Sequence, residues 1–245
     1  MLNWSYLLSI TLFFLETAIV TYFYITLPQK KGNLACYDCD SKINIFDFLI
    51  YSKCASCGNR FNFDGFWIIG ILLFSNIYLS ISSANTNLMI QRSIILSYFT
   101  LIFFIDIRTH YIFHTTTMFG LLGALILGFL NGNFLSSLVG ALSGFALMFI
   151  FYLFGIAFTK FKNRNSNPGN ELEEALGFGD VTLGTVIGGL VTFEFVFNAL
   201  ITGILLAGMV SLFLIIKMLF QKQYSNLFIA YGPYLILGSI PYILF

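Results

Sequence analysis

Long apolar stretches separated by short polar breaks make up most of the chain. A helix needs roughly 20 mostly apolar residues to cross about 30 Å of hydrocarbon, and stretches near this length recur throughout. The pattern predicts eight transmembrane helices, at 4–27, 66–84, 93–107, 115–131, 134–159, 179–194, 196–217 and 226–245. The first has no basic region before it and no small-residue cleavage site after it, so we expect it to be retained. The predicted fold is an all-α polytopic membrane protein.

Composition favours the same class of protein. Hydrophobic residues make up 58% of the chain and charged residues 9%, with a mean hydropathy of +0.87. Soluble domains carry roughly 25% charged residues. The net charge of +1 provides no basic face for a nucleic acid, so the expected partners are the lipid bilayer and a substrate, not a nucleic acid.

The positions of lysine and arginine predict the orientation, because cytoplasmic loops carry an excess of both. Only Arg92 falls in a loop that follows an even-numbered helix. The other basic residues follow odd-numbered helices: Lys30, Lys31, Lys42, Lys53, Arg60, Arg108, Lys160, Lys162, Arg164, Lys217 and Lys222. This asymmetry places both termini outside and the odd-numbered loops in the cytoplasm.

The predicted organisation has three parts. Residues 1–27 form the first transmembrane helix, 28–65 form a cytoplasmic insert with all four cysteines, and 66–245 form a seven-helix membrane core. A polar loop at 160–178 interrupts that core. Glycines recur in its helices at spacings that let helices in lipid pack closely: Gly140, Gly144, Gly184, Gly188 and Gly189.

The cysteines form two C-x-x-C pairs, Cys36 with Cys39 and Cys54 with Cys57, separated by 14 residues. Four thiolates from two such turns suit a tetrahedral structural zinc ion. Disulfides or four unrelated thiols are the alternative, and a reducing cytoplasm disfavours disulfides. A short insert without a core of its own also gains most from a metal ion. We therefore predict a structural zinc site.

Four acidic residues lie in or against apolar stretches: Glu16, Asp106, Asp180 and Glu194. A charge at membrane depth is costly, so each requires an explanation. Glu194 is expected to be solvated in an external turn, and Glu16, near the middle of the first helix, has no assigned role. Asp106 and Asp180 are both predicted at cytoplasmic helix ends, at similar depth.

Two carboxylates that share one proton are what aspartyl hydrolysis requires. One takes a proton from water, and the other, kept protonated by its neighbour's charge, polarises the scissile carbonyl. Gly177 and Gly179 precede Asp180 and leave room for an extended substrate strand. Spacing alone leaves open that each aspartate separately caps or solvates a helix end, or that the acids relay protons.

The chain resembles the type IV prepilin peptidases, bacterial membrane aspartyl proteases, in four blocks that follow the family's order. These are the cysteine pairs, Asp106 followed six residues later by Ile112, the block around Gly177-Phe178-Gly179-Asp180, and Tyr231-Gly232-Pro233-Tyr234. The resemblance implies that Asp106 and Asp180 are the catalytic pair. It further implies that the substrates are prepilins or pseudopilins of type IV pilus or type II secretion systems, whose basic leader is removed at the cytoplasmic face of the bacterial inner membrane.

The resemblance also implies a second activity. Many family members methylate the new N-terminus with S-adenosylmethionine, and the cysteine insert is associated with that reaction. The chain departs from the family pattern at Phe113, where proline is common, and at Thr182, where lysine is common. The stretch between the cysteine pairs is also shorter than usual, which weakens the prediction of methylation more than that of proteolysis.

Three further interpretations concern the surroundings of the pair. Acidic Glu171, Glu173 and Glu174 are candidate contacts for the basic leader. Lys160, Lys162 and Arg164 are interpreted as determinants of topology. His110 and His114 are expected to be solvated and receive no catalytic role.

Rival functions make different predictions. An ion- or proton-coupled transporter would carry its acids near the bilayer midplane. A non-enzymatic assembly factor would tolerate Asp106→Asn and Asp180→Asn. A presenilin-like protease would carry a Pro-Ala-Leu segment, which the last stretch lacks.

Overall fold

The computed structural model describes residues 4–27, 41, 56–58, 64–83, 85–162, 177–221 and 230–244. Within these ranges the regular structure is helical. The helices are α1 (Trp4–Thr26), α2 (Asp64–Ser82), α3 (Thr86–Thr109), α4 (His114–Leu130), α5 (Phe134–Lys162), α6 (Phe178–Val191), α7 (Val196–Gln221) and α8 (Gly232–Leu244). The prediction of an all-helical chain is confirmed for the described residues.

Each predicted apolar stretch coincides with one helix, but α3 is longer than predicted. It begins at Thr86 because Gln91 and Arg92 continue the helix although they interrupt the apolar pattern. Backbone hydrogen bonding requires no apolar side chain, and polar residues suit a helix end that meets the membrane surface. The predicted bounds of the third helix, 93–107, are therefore too narrow.

Five helices, α1, α2, α3, α5 and α7, are long and apolar enough to cross a membrane. The other three contain 17, 14 and 13 residues. At a rise of 1.5 Å per residue, the two shortest extend only about 20 Å. A multi-pass membrane protein follows from the five long helices, whereas the total of eight crossings stays a prediction.

The helices form two compact units, and the first is Met1–Thr109. Its helices α1 and α3 run parallel, because Glu16 of α1 contacts Ser93 of α3 and Tyr24, further along α1, contacts Phe104. The guanidinium of Arg108 lies 5.2 Å from the Tyr24 ring centroid. The carboxyl ends of α1 and α3 therefore lie at the same end of this unit.

The second unit is His110–Phe245, and α5 and α6 pack through glycines at its centre. Gly140 faces Gly188 and Gly144 faces Gly184, so the two helices run antiparallel. A methyl group on any of the four would overlap atoms of the opposite helix. The predicted close helix packing at these glycines is confirmed.

The predicted insert at 28–65 lies almost wholly outside the described residues. Ser41 and Ser56–Gly58 are described, together with the start of α2. The division into 1–27, 28–65 and 66–245 therefore stays a prediction. The boundary between the compact units falls elsewhere, between α3 and α4.

Candidate active site

Asp106 lies in the last turn of α3, within the first unit. Only 3% of its surface is exposed, although Ile107 and Arg108 beside it are exposed. The neighbouring helix α1 buries Tyr24 against Phe104, one turn before the end of α3. Asp106 is thus a buried acid at the carboxyl end of its helix, as the sequence predicted for its position in the chain.

Asp180 lies in the first turn of α6, within the second unit, and is 9% exposed. Gly177 precedes the helix in an extended conformation, and its carbonyl oxygen accepts a hydrogen bond from the Asp180 N–H at 3.0 Å. A Cβ atom on Gly177 would lie 3.6 Å from Asp180 Oδ2, which is an ordinary contact. A Cβ atom at Gly177 would therefore overlap none of the described residues.

Gly179 is enclosed more tightly, because it packs against Ile112 in the same unit. A Cβ atom at Gly179 would lie 2.9 Å from Ile112 Cβ and 3.3 Å from the Ile112 carbonyl oxygen. Ile112 is itself buried. The structure thus brings together the last residue of the Asp106–Ile112 block and a glycine of the block before Asp180.

Aromatic rings surround the start of α6. Phe178 contacts His114 of α4 at 6.0 Å and Tyr152 of α5 at 5.9 Å between ring centroids. His114 also meets Tyr111 edge-on. Because α4 and α6 meet both here and at Ala124 and Gly189, they run parallel, with their amino ends at the same end of the unit.

The remaining polar residues near these motifs are largely as predicted. His110 and His114 are exposed, and His110 adopts a positive φ of 51° in the connection before α4. Glu194 is exposed in the turn between α6 and α7. Thr182 donates a hydrogen bond to the Gly179 carbonyl oxygen at 2.8 Å.

Lys160 is exposed near the end of α5. The predicted leader contacts, Glu171, Glu173 and Glu174, lie outside the described residues, as does Arg164.

One predicted zinc ligand is described. Cys57 is exposed in a turn, followed by Gly58 with a φ of 69°, a left-handed conformation that favours glycine. Cys36, Cys39 and Cys54 lie outside the described residues. In the described part of the chain, no three histidine, cysteine or acidic side chains are close enough to hold a metal ion. The turn fits a zinc knuckle, and the zinc site stays a prediction.

A buried polar cluster was not predicted from the sequence. Glu16 is hydrogen-bonded to Asn76 of α2 and Ser93 of α3. The available signal was weak: Asn76 is a lone amide inside an apolar stretch, and Ser93 is a small residue at the start of one. Their pairing with Glu16 joins residues 60 and 77 positions apart, which periodicity does not reveal.

These features define a helical membrane protein with a buried acid at the end of each of two helices. Comparison with known protein families matches residues 93–231 to the type IV leader peptidase family. The match covers more than half of the 245-residue chain, from Ser93 in α3 to Tyr231, and includes Asp106, Ile112 and Asp180. This chain belongs to the type IV leader peptidase family, which supports a protease of the prepilin leader peptidase type. Comparisons with curated proteins and with solved structures gave no match.

Proposed function

We propose that this protein is an aspartyl endopeptidase that removes the basic leader of prepilins or pseudopilins at the cytoplasmic face of the bacterial inner membrane. The observation that carries the proposal is the family match, which covers Asp106 and the whole Gly177–Asp180 block. The tight packing of Gly179 on Ile112 supports it, since residues of two separate family blocks meet there.

The proposed catalytic pair is Asp106 with Asp180. Partial positive charge at a helix amino end favours an anion, and partial negative charge at a carboxyl end disfavours one. Asp180 lies in the first turn of α6 and Asp106 in the last turn of α3. We therefore assign the ionised, base role to Asp180 and the protonated, acid role to Asp106.

The reaction then proceeds by proton transfer around an attacking water. Asp180 takes a proton from the water while the water oxygen bonds to the scissile carbonyl carbon. Asp106 gives its own proton to the carbonyl oxygen. Collapse of the tetrahedral intermediate breaks the C–N bond. The leaving amine takes the proton held by Asp180, and Asp106 takes back a proton from a hydroxyl group of the intermediate, so that both aspartates return to their starting forms. The space beside Gly177 supports an extended substrate backbone at this point.

The leader's basic residues would remain in the cytoplasm while the apolar segment of the pilin lies among the helices. Glu171, Glu173 and Glu174 are the proposed contacts for the basic leader. If neutralising all three leaves the cleavage kinetics unchanged, this contact is refuted, although the peptidase assignment survives.

Zinc and methylation form a second part of the proposal. The Cys57–Gly58 turn supports a structural zinc ion held by Cys36, Cys39, Cys54 and Cys57. S-adenosylmethionine is the proposed methyl donor for the new N-terminus. The family match begins at Ser93, after the cysteines, so it supports proteolysis and not this activity.

Cleavage of a prepilin by the purified protein tests the reaction directly. The full chain in detergent is mixed with prepilin, and the products are identified by mass, first alone and then with methyl donor. We expect two fragments separated at the junction of basic leader and apolar segment. Absence of cutting with several prepilins would overturn the proposal and favour the transporter or assembly-factor alternatives.

A further inference from the structure

Glu16, Asn76 and Ser93 form a closed triangle of polar side chains inside the first unit. Asn76 Nδ2 lies 2.8 Å from Glu16 Oε2, Ser93 Oγ lies 2.5 Å from Glu16 Oε1, and Ser93 Oγ lies 3.0 Å from Asn76 Oδ1. Each residue comes from a different helix. Their exposed fractions are 5%, 4% and 1%. The triangle therefore joins α1, α2 and α3 away from water.

The number of hydrogen atoms in this triangle depends on the form of Glu16. Serine has a single hydroxyl hydrogen, so Ser93 can donate to only one of Glu16 Oε1 and Asn76 Oδ1. The other oxygen must donate to Ser93, or the two oxygens repel each other. With an ionised Glu16, Ser93 donates to Glu16, and no hydrogen remains between Ser93 Oγ and Asn76 Oδ1. With a protonated Glu16, Glu16 donates to Ser93, Ser93 to Asn76, and Asn76 back to Glu16.

Reversing the amide of Asn76 does not remove this requirement. In the present orientation Nδ2 also donates to the Leu72 carbonyl oxygen at 3.0 Å, so both amide hydrogens are used. In the reversed orientation Oδ1 would face both the Leu72 carbonyl and Glu16 Oε2. An ionised Glu16 therefore leaves two facing acceptors in either orientation.

The surroundings provide no counter-charge in hydrogen-bonded contact. Asn76 and Ser93 are uncharged, and Glu16 lies within the apolar span Leu8–Thr26. Other charged residues on these three helices whose side chains the structure describes are Arg92, Asp106 and Arg108, and the titratable tyrosines among them are Tyr22, Tyr24, Tyr78 and Tyr98. Among the described side chains, none of these is a hydrogen-bond or ion-pair partner of Glu16. A lone charge in such a place is unfavourable.

We propose that Glu16 binds a proton, not a metal cation, and that the resulting neutral acid closes a ring of three hydrogen bonds joining α1, α2 and α3. The ring satisfies the donors and acceptors of Asn76 and Ser93 that face it, which an ionised Glu16 leaves incomplete. The inference is independent of the peptidase assignment. It excludes the cation-binding role that a transporter would require of this residue.

Infrared spectroscopy of the purified full chain tests the charge state. Because Asp106 is itself proposed to be protonated, the spectra are taken in an Asp106→Asn background. There we expect the carbonyl absorption of a protonated carboxylic acid at neutral pH, and its loss when Glu16→Gln is added. The matched control is Glu194→Gln, which changes an exposed glutamate and should leave that absorption in place. Absence of that absorption at neutral pH, or its survival when Glu16→Gln is added, would overturn the proposal.

Thermal unfolding provides an independent test. Glutamine keeps a donor for Ser93 and an acceptor for Asn76, so Glu16→Gln should unfold close to the parent temperature. Glu16→Ala and Ser93→Ala should unfold several degrees lower, whereas Ser143→Ala, whose hydroxyl donates to Val139 within its own helix, should not. If Glu16→Ala does not fold, Ser93→Ala and the infrared test still decide. Stabilisation of the parent by sodium over choline, absent in Glu16→Gln, would show a cation site and overturn the proposal.

Discussion

The two glycines before Asp180 perform different tasks. Gly177 has space around its Cα, next to the Asp180 carboxyl group, whereas Gly179 touches Ile112. A substrate strand therefore has room at Gly177, and the fold itself requires the absence of a side chain at Gly179. Only the first of these roles was apparent from the sequence, because the partner of Gly179 lies 67 positions earlier in the chain.

Gly179→Ala should destabilise the protein and slow cleavage. The added methyl group meets Ile112 Cβ, which is fixed to the backbone and cannot rotate away. Overpacking of this kind costs about 1–3 kcal/mol, and displacement of a catalytic group by about 1 Å can slow a reaction by about 100-fold. Thermal unfolding and prepilin cleavage measure the two effects. Gly123→Ala is the control, because a Cβ atom there meets nothing within 4 Å; equal behaviour of the two variants would contradict the packing argument.

Metal analysis checks the four cysteines. Protein purified under reducing conditions without chelator should contain about one zinc ion per chain, and a variant with Cys36→Ser and Cys54→Ser should contain almost none. We expect the same loss of zinc whichever of the two C-x-x-C pairs is changed, because the Cys57–Gly58 turn alone does not favour one pair. A zinc content below about half an equivalent in the parent would count against the site.

At the scale of elements, α5 and α6 determine where Asp180 lies. Gly140 and Gly144 on α5 face Gly188 and Gly184 on α6, so the backbones of the two helices touch. Without a hydrophobic effect between helices in lipid, such contacts are a main source of association. The position of the amino end of α6, with Asp180, therefore depends on residues about one and two turns away.

Gly188→Ala should separate α5 from α6 and reduce both stability and cleavage. The new methyl group would overlap the Gly140 carbonyl oxygen, which belongs to backbone and has no freedom to move alone. We expect destabilisation of about 1–3 kcal/mol, the range for overpacked sites. Unfolding in detergent measures it. Gly208→Ala on α7, where a Cβ atom meets nothing within 4 Å, should behave as the parent, and similar losses in both variants would refute the argument.

Sequence pattern located the helices well and their ends less well. The apolar stretches at 134–159 and 196–217 correspond to α5 and α7, because a run that long and apolar has few alternatives to a spanning helix. The start of α3 was misplaced by seven residues, since hydropathy marks the membrane core and not the last hydrogen-bonded turn. The glycine spacings predicted close packing, but which helices would face each other required the fold.

At the scale of the whole molecule, the helix directions within each unit can be compared with the alternation that the predicted crossings require. The first unit has the carboxyl ends of α1 and α3 at the same end, as the orientation rule requires for two odd-numbered helices. In the second unit α4 and α6 run parallel and α5 opposes α6, again as expected for alternating crossings. The Glu16 ring could not be predicted from the sequence, because it depends on three helices meeting at one depth.

Topology mapping tests the predicted orientation. A short epitope inserted at Gly132, in the turn between α4 and α5, should be accessible from outside intact spheroplasts. The same epitope inserted after Lys162 should be accessible only once the membrane is opened, because its basic residues predict a cytoplasmic location for that loop. Each inserted variant must still cleave prepilin, because only an active variant reports the native topology. The reverse pattern of accessibility would place the proposed active site on the wrong side.

The proposed catalytic pair is tested most directly by the cleavage rates of Asp106→Asn and Asp180→Asn, measured beside the parent and Glu194→Gln. Each aspartate variant should unfold near the parent's temperature, which shows that it is folded. Each should cleave prepilin about 100-fold more slowly or not at all, because each removes one of the two groups that transfer protons. Glu194→Gln, the same chemical change at an exposed turn, should cleave at the parent rate. Parent-like cleavage by either folded aspartate variant would contradict the account.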